Sequence, residues 1–268
     1  MVAAKLAGML LALVATVGVA TAHAAELRGL IAFAGRNVKW GAPAYGAGAE
    51  VTYAFLERTL SSPAARNCNE MLPLRSLIKR SLVPMEAFRS AIHEATATWS
   101  RVSPIVFREV GDSAKADIVI GAQRGDRGVA FTNVSRDDSA GSVSALTQAL
   151  ICLDPSERWT AAWDGDPATY DLPRVLVHEI GHAIGLDHLG RDGGIMGYAY
   201  TEQKELRLSE ADIAAVTRLY GRVDAPLAAA ARESAPVVKA GADCVAVAGA
   251  MSECQAQVPG GKPAERVH

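Results

Sequence analysis

Short runs rich in β-branched and aromatic residues recur along the chain, and they predict the strands of a sheet. Residues 51–56, Val-Thr-Tyr-Ala-Phe-Leu, alternate in the manner of a strand with two different faces. Further β-rich runs lie at residues 105–107, 116–120, 129–134 and 148–153. The pattern therefore predicts five strands, with residues 58–83 as a long connection after the first strand.

Apolar residues also recur at helical spacing in longer segments. Pro84 begins the first helix, whose apolar stripe is formed by Phe88, Ile92, Ala95 and Trp99. Asp171 has the position of an N-cap before a second helix, and residues 209–212, Ser-Glu-Ala-Asp, form a capping box before a third. Gly221 marks the end of the third helix. Strands and helices together predict an α+β domain.

The two ends of the chain differ from this central part in composition. Residues 1–24 have the features of a secretory signal peptide, with a cationic Lys5, an apolar core at 6–20 and an A-x-A cleavage site at 22–24. Residues 222–268 are rich in Ala, Pro, Gly and Val and contain no Phe, Tyr or Trp. This C-terminal tail is therefore not expected to build much of a core.

Net charge and hydropathy indicate which partners and which cellular location to expect. The chain has a formal net charge of −2, and losing Lys5 with the signal peptide makes the mature chain more acidic by one unit. This balance argues against nucleic acid as a partner. No second apolar run is long enough to span a bilayer, so we expect no stable membrane insertion. The mature chain is expected to be secreted or periplasmic.

Four cysteines, Cys68, Cys152, Cys244 and Cys254, suit an oxidising compartment. Three pairings of four cysteines are possible. We favour Cys68–Cys152 together with Cys244–Cys254, because the second pair lies close together in the tail. Metal binding by the cysteines is the weaker alternative, since none of them is in a C-x-x-C arrangement.

The stretch HEIGHAIGLDH has the pattern H-E-x-x-H-x-x-G-x-x-H, which is typical of a zinc site. Residues four apart share one face of a helix, so His178 and His182 can present two imidazoles to one ion. Glu179 stands beside the ion, where a general base is needed. Gly185 permits a turn with φ > 0 that returns His188 as a third ligand. Three nitrogens leave one tetrahedral position of zinc open for water.

Half of the chain's six histidines lie in this stretch. That concentration counts against the alternative interpretation, an amphipathic helix with incidental histidines.

The zinc motif and its surroundings resemble the matrixin-type metzincins, the family that includes the matrix metalloproteinases. Similar segments are VTYAF, AFRSAIHEATATWSRVSPIVFREV, ADIVI, ERWT and LSEADIAAVTRLYG. The resemblance covers residues 37–221 as a metalloprotease domain and leaves residues 25–36 as a short N-terminal segment. It implies a metzincin, zincin-like fold, in which a twisted, mixed five-stranded sheet and three main helices leave a zinc cleft between an upper and a lower part.

The resemblance also implies roles for residues after the zinc motif. Met196, in Gly-Ile-Met, has the position of the family's methionine turn and is expected to support the ligands from below. Tyr200 matches the tyrosine that lines the specificity pocket. Gly197 and Tyr198 stand where matrixins carry Tyr-Pro, so Tyr198 is expected near the same pocket. Nothing charged lies at residues 193–201, so we expect cleavage before aliphatic or aromatic residues.

Other family features are present only in part. The animal enzymes hold a structural zinc with further histidines, and this chain has none between residues 94 and 177. Cys152 stands where one of these histidines would be, so the resemblance suggests that the Cys68–Cys152 disulfide fastens the same region and that one zinc is bound per chain. Asp154 and Glu157 match a carboxylate pair of a family calcium site, which makes calcium a possible second cofactor.

Asp212 has two interpretations. In the family an aspartate here supports the active-site region, whereas the capping box explains the same residue by helix initiation alone. The second interpretation carries at least as much weight, so Asp212 is not included in the predicted site.

The resulting prediction is a secreted zinc-dependent endopeptidase, in which Glu179 acts as general base towards a zinc-activated water. A protein or peptide substrate would bind in extended form beside the strand at residues 129–134. Two alternatives stay open. A degenerate zinc-binding module for adhesion or inhibition would not need Glu179, whereas a zinc hydrolase of non-protein substrates would use the same residues.

Overall fold

The computed structural model of the chain describes residues 29–81, 83–125, 128–138, 142–162, 165–190, 194–198, 206–223 and 255–257. The predicted signal peptide, Tyr200 and the proposed Cys244–Cys254 pair lie outside the described residues. Within the described part, no helix combines the length and the apolar character that crossing a membrane requires.

A mixed sheet of ten strands forms the centre of the described part. Its strands are β1 (Ala32–Phe33), β2 (Arg36–Lys39), β3 (Ala49–Phe55), β4 (Leu60–Ser61), β5 (Glu70–Leu72), β6 (Ile105–Glu109), β7 (Ile118–Gln123), β8 (Ala130–Asp137), β9 (Ser144–Leu153) and β12 (Gln255–Gln257). β6, β3, β7 and β9 lie side by side and run parallel, and β8 pairs antiparallel with β9. The five predicted strands are β3, β6, β7, β8 and β9, and they form the body of this sheet.

The remaining strands are short. Residues 58–83, predicted as a connection, contain β4, β5 and helix α1 (Arg75–Ser81), and β5 pairs antiparallel with β7. A small separate sheet pairs β10 (Trp159–Thr160) with β11 (Tyr170–Asp171). Strands of two to four residues are too short to show a periodic pattern, which is why the sequence did not reveal them.

The three predicted main helices are present as α2 (Met85–Ser100), α3 (Leu172–Ala183) and α4 (Glu210–Tyr220). The capping box of α4 is complete, because the Ser209 hydroxyl accepts from the Asp212 N–H and the Asp212 carboxylate accepts from the Ser209 N–H. Gly221 ends this helix with a φ of 87°. The α+β prediction and the order of its main elements are therefore confirmed.

Alternate side chains of the strands enter two separate apolar clusters. On β3, Val51 and Tyr53 belong to the larger cluster, whereas Ala54 belongs to the smaller one. Successive side chains of a strand point to opposite faces, so the clusters lie on the two faces of the sheet. The larger cluster contains the apolar stripe of α2 and the buried apolar residues of α3, and we call its side the helix face.

The smaller cluster lies on the other side, which we call the disulfide face. Ala65, Cys68 and Met71 from the segment after β3 cover it, and Cys152 on β9 belongs to it. Cys68 and Cys152 form a disulfide with a Cα–Cα distance of 5.8 Å. The structure thus contains the first of the two predicted pairs.

Candidate metal centre

Helix α3 carries the first two histidines of the motif and the glutamate that follows the first of them. His178, Glu179 and His182 are at most 5% exposed. The rings of His178 and His182 meet edge to face with centroids 4.6 Å apart, as expected for residues one turn apart. The spacing of the two histidines on the helix therefore brings their imidazoles together.

Gly185 turns the chain after α3 and returns His188 to the same point. Its φ is 99°, and a Cβ at this position would lie 2.3 Å from the Val38 carbonyl oxygen. Only glycine tolerates both the backbone angle and the close approach. The His188 ring then lies 4.7 Å from the ring of His182, measured between centroids.

The turn that carries His188 is held by the first described residues of the chain. The Ile31 N–H donates to the Gly185 carbonyl at 2.9 Å, and the Asp187 N–H donates to the Gly29 carbonyl at 2.9 Å. Residues 29–31 belong to the predicted short N-terminal segment, 25–36. They form a backbone clamp on the third histidine, which no local sequence signal indicates.

The ring nitrogens of the three histidines fit a bound cation. One nitrogen from each histidine lies within 4.8 Å of the others, and His178 Nε2 lies 2.9 Å from His182 Nε2. The Nδ1 atoms of these two rings lie 2.6 and 2.7 Å from the carbonyl oxygens of Ile195 and Leu186. A carbonyl only accepts, so each Nδ1 carries the proton of a neutral ring. Two Nε2 lone pairs then face each other, an arrangement that zinc bound by these nitrogens would stabilise.

Burial keeps these ligands neutral. It lowers the pKa of His178 to about 3 and the pKa of His182 well below its ordinary value, although the hydrogen bonds to Ile195 and Leu186 oppose the shift. Zinc binds the neutral imidazole, so the same burial that disfavours the proton favours the metal.

Glu179 lies beside the histidines and is held by Thr132 of β8. The Thr132 hydroxyl is 2.6 Å from Glu179 Oε2 and 3.1 Å from the Glu179 carbonyl oxygen. Burial raises the pKa of Glu179 to about 8, while the Thr132 hydrogen bond lowers it. The other oxygen, Oε1, is buried without a hydrogen-bond partner in the described part of the chain. Thr132 is a site residue that the sequence did not reveal, because it is distant from the motif in the chain.

The methionine turn packs directly under α3. Gly194–Met196 form a short 3₁₀ turn, and Met196 is fully buried. A Cβ on Gly181 would lie 2.4 Å from Met196 Sδ, so the glycine between the two helical histidines permits this contact. The turn also supplies the Ile195 carbonyl that fixes the His178 ring. The predicted supporting position of Met196 agrees with this packing.

The predicted site does not include Asp212, yet this residue contacts the methionine turn as well as the start of α4. Its carboxylate accepts from the N–H groups of Ile195 and Met196, each at 3.1 Å, in addition to the Ser209 N–H of the capping box. Burial raises its pKa, and these hydrogen bonds lower it in part. Asp212 therefore joins the start of α4 to the methionine turn. The capping pattern in the sequence concealed this second role.

Tyr198 lies over the third ligand. Its ring stacks on His188 with centroids 4.2 Å apart, and the side chain is 49% exposed. Two backbone bonds hold this arrangement, from the Leu189 N–H to the Met196 carbonyl and from the Tyr198 N–H to the Gly190 carbonyl. Tyr198 is thus beside the metal centre, at the position where the pocket was predicted.

The proposed calcium ligands are on the loop after β9. Asp154 is buried, and its carboxylate accepts from the Ser156 N–H at 2.7 Å and from the Ser156 hydroxyl. Glu157 is half-buried on the same loop. These contacts do not test calcium binding, which stays a prediction.

Comparison with known proteins agrees with this geometry. Residues 74–221 match the family model of the matrixins, peptidase family M10. The chain is 33% identical to the interstitial collagenase of Sus scrofa over 143 residues, which are 51% of this chain and 29% of that protein. It is 31% identical to metalloendoproteinase 1-MMP of Arabidopsis thaliana over 150 residues, 53% of this chain and 40% of the relative.

A third relative is matrix metalloproteinase-26 of Homo sapiens, 31% identical over 149 residues that make up 50% of this chain and 52% of the relative. The chain thus spans about a third to a half of the length of the relatives it matches. The matched family segment contains the three histidines, Glu179, Met196 and Asp212 and more than half of the chain. The chain belongs to the matrixin family.

Proposed function

We propose that this chain is a secreted zinc-dependent endopeptidase. The observation that supports it best is the convergence of the His178 and His182 Nε2 atoms, 2.9 Å apart, next to a buried glutamate. Zinc held by these imidazoles and His188 would supply a Lewis acid that activates water and polarises a scissile carbonyl. Membership of the matrixin family supports the same reaction class.

Glu179 is the residue that moves the proton. Its carboxylate takes a proton from the attacking water and then delivers it to the leaving amine, as a general base followed by a general acid. Without a nearby cation the carboxyl would stay protonated at neutral pH, because burial outweighs the Thr132 hydrogen bond and raises its pKa to about 8. A divalent cation nearby favours the ionised form, so loading of the metal also readies the base.

The substrate is proposed to lie along β8 as an extended chain. β8 carries Thr132, whose hydroxyl contacts Glu179, so main-chain pairing with this strand brings a peptide bond next to the base. Tyr198 borders the other side of the metal centre, where the predicted pocket receives the side chain after the cleaved bond. Aliphatic and aromatic side chains are expected there, because no charged partner is available at residues 193–201.

A cleavage assay on an unfolded protein substrate tests this proposal. Cleavage should stop when a zinc chelator is added and return when zinc is restored in excess. A degenerate binding module would retain zinc but cleave nothing. A hydrolase of esters or cell-wall peptides would be chelator-sensitive only on those substrates, so the same assay run in parallel on them separates the three functions.

The metal content and the processing of the chain are separate proposals. Metal analysis of the purified mature protein should give one zinc per chain, and two tightly held zinc ions would contradict it. Calcium at Asp154 and Glu157 should raise the thermal midpoint of wild type but not of Asp154→Asn.

If the signal peptide is cleaved as predicted, N-terminal sequencing of the exported protein should give Ala25 as its first residue.

A further inference from the structure

β8 is the outermost of the five main strands on the side of the metal centre, and both of its sides are paired. β9 pairs with one side of β8, and β12 in the C-terminal tail pairs antiparallel with the other side. In this register Ala256 is the partner of Thr132, and Gln257 is the partner of Phe131. A segment of the chain's own tail therefore lies along the strand that borders the metal centre.

The position of this pairing coincides with the general base. Thr132 contacts both the carboxylate and the backbone carbonyl of Glu179. The tail strand is centred on the same residue, with one register pair on each side. A strand edge offers one row of N–H and C=O groups, so it accepts one neighbour at a time.

We infer that residues 255–257 occupy the edge that an extended substrate requires, so that the tail acts as an intramolecular competitor of the substrate. This inference rests on the proposed function, because it takes β8 as the strand that receives the substrate. The tail regulates access to the centre, and neither the zinc ligands nor Glu179 has to change position for the site to open.

The connection to the tail is long enough to permit this contact. Residues 224–254 link the end of the domain to β12. A chain of that length can span up to about 100 Å, so it does not restrict where β12 reaches. The segment is tethered, so its pairing with the edge is intramolecular and does not depend on the protein concentration.

The full-length double variant Ala256→Pro/Gln257→Pro tests the inference. Neighbouring residues of a strand point their N–H groups to opposite sides, so one of these two N–H groups faces β8, and proline removes both. We expect kcat/KM on a peptide substrate to rise on the order of tenfold, since proline removes one ladder hydrogen bond and disfavours pairing of the whole three-residue strand. The change should be in KM with kcat unchanged, as for removal of a competitor.

The control is Val245→Pro/Ala246→Pro, which places two prolines in the same tail outside the paired segment. Its kcat/KM should equal that of wild type. A synthetic peptide covering residues 252–260 should inhibit the Ala256→Pro/Gln257→Pro variant competitively. Equal KM values for wild type and both variants would overturn the inference.

Hydrogen exchange gives a readout that does not depend on activity. Those backbone amides of residues 131–133 that face β12 should exchange faster in the Ala256→Pro/Gln257→Pro variant than in wild type and in the control. Equal exchange in all three chains would show that the tail does not occupy the edge. If no chain cleaves any protein substrate, the proposed function fails, and the exchange data still decide whether the edge is occupied.

Discussion

The two faces of the sheet are stabilised in different ways. The helix face buries Glu179, His178, His182 and Asp212, each of which costs desolvation and depends on specific hydrogen bonds. The disulfide face consists of apolar side chains and the covalent bond between Cys68 and Cys152. The comparison indicates that the face with the polar site would carry the proposed chemistry, whereas the opposite face is held by a covalent cross-link that needs no metal.

The largest expected effect is the loss of activity in Glu179→Gln. The amide cannot accept the proton, so kcat/KM should fall by about three orders of magnitude or more, while zinc content stays at one per chain because the three ligands are untouched. The control is Glu94→Gln, which makes the same substitution in helix α2, outside the site. It should leave activity unchanged. Loss of zinc in Glu179→Gln would show instead that this glutamate is a ligand.

Substitutions on the disulfide face should lower the stability of the chain and leave zinc binding and activity unchanged. Cys68→Ala/Cys152→Ala opens a loop with a sequence separation of 84 residues. We expect the free energy of unfolding to fall by about 2–5 kcal/mol. Zinc affinity and kcat measured below the transition should stay at the wild-type values. A large drop in zinc affinity would show that the two faces are coupled. Non-reduced peptide mapping of wild type checks the pairing itself.

Variants of Asp212 and Ser209 distinguish two roles, the capping of helix α4 and the support of the metal centre. Asp212→Ala removes the acceptor for the Ile195 and Met196 N–H groups, so zinc affinity should fall about tenfold to a hundredfold. Ser209→Ala removes the cap and should cost about 1 kcal/mol of stability with zinc affinity unchanged. Zinc titration against a competing chelator measures the zinc affinity of both variants, and denaturant unfolding measures their stability. Similar zinc affinities in the two variants would assign Asp212 to capping alone.

The buried Glu179 on the helix face should also make the stability of the metal-free chain depend on pH. Glu179 has a folded pKa of about 8, against 4.5 as its ordinary value. Between these values the folded state holds a proton that the unfolded state has lost, so stability falls as pH rises. Below pH 6.5 protonation of unfolded His178 and His182 opposes this trend. Denaturant unfolding from pH 6.5 to 8 should therefore show falling stability in wild type and a smaller slope in Glu179→Gln.

The smallest expected effect concerns Tyr198. Removing its ring in Tyr198→Ala should widen the pocket and raise the preference for large aromatic over aliphatic residues after the cleaved bond by about threefold. Tyr198→Phe keeps the ring stacked on His188 and should retain the wild-type preference. Sequencing the products from a mixed peptide library gives the comparison. A dominant preference for charged residues in wild type would contradict the predicted apolar pocket.

Features set by local spacing could be predicted from the sequence. The i, i+4 spacing of His178 and His182 and the backbone freedom of Gly185 require no knowledge of distant residues, and the five main strands follow from β-rich runs. Contacts between distant segments could not be predicted in this way. Thr132 and the clamp of residues 29–31 reach the site only because the sheet brings them there, and their residue types are ordinary for their positions.

Asp212 illustrates a third situation. Its sequence context has a complete local explanation, the capping box, and a carboxylate has enough lone pairs to serve a second partner as well. A local pattern can therefore be correct and still leave part of a residue's role undetected.

The Thr132 hydroxyl has a consequence for how the chain would choose a cleavage position. It lies within 3.1 Å of the Glu179 backbone and within 2.6 Å of its carboxylate, so strand β8 and helix α3 share one fixed reference point. A main chain paired with β8 advances about 3.3 Å per residue from that point, whatever its side chains are. In the proposed binding mode, the substrate residue that pairs with Thr132 would determine which peptide bond lies beside the glutamate.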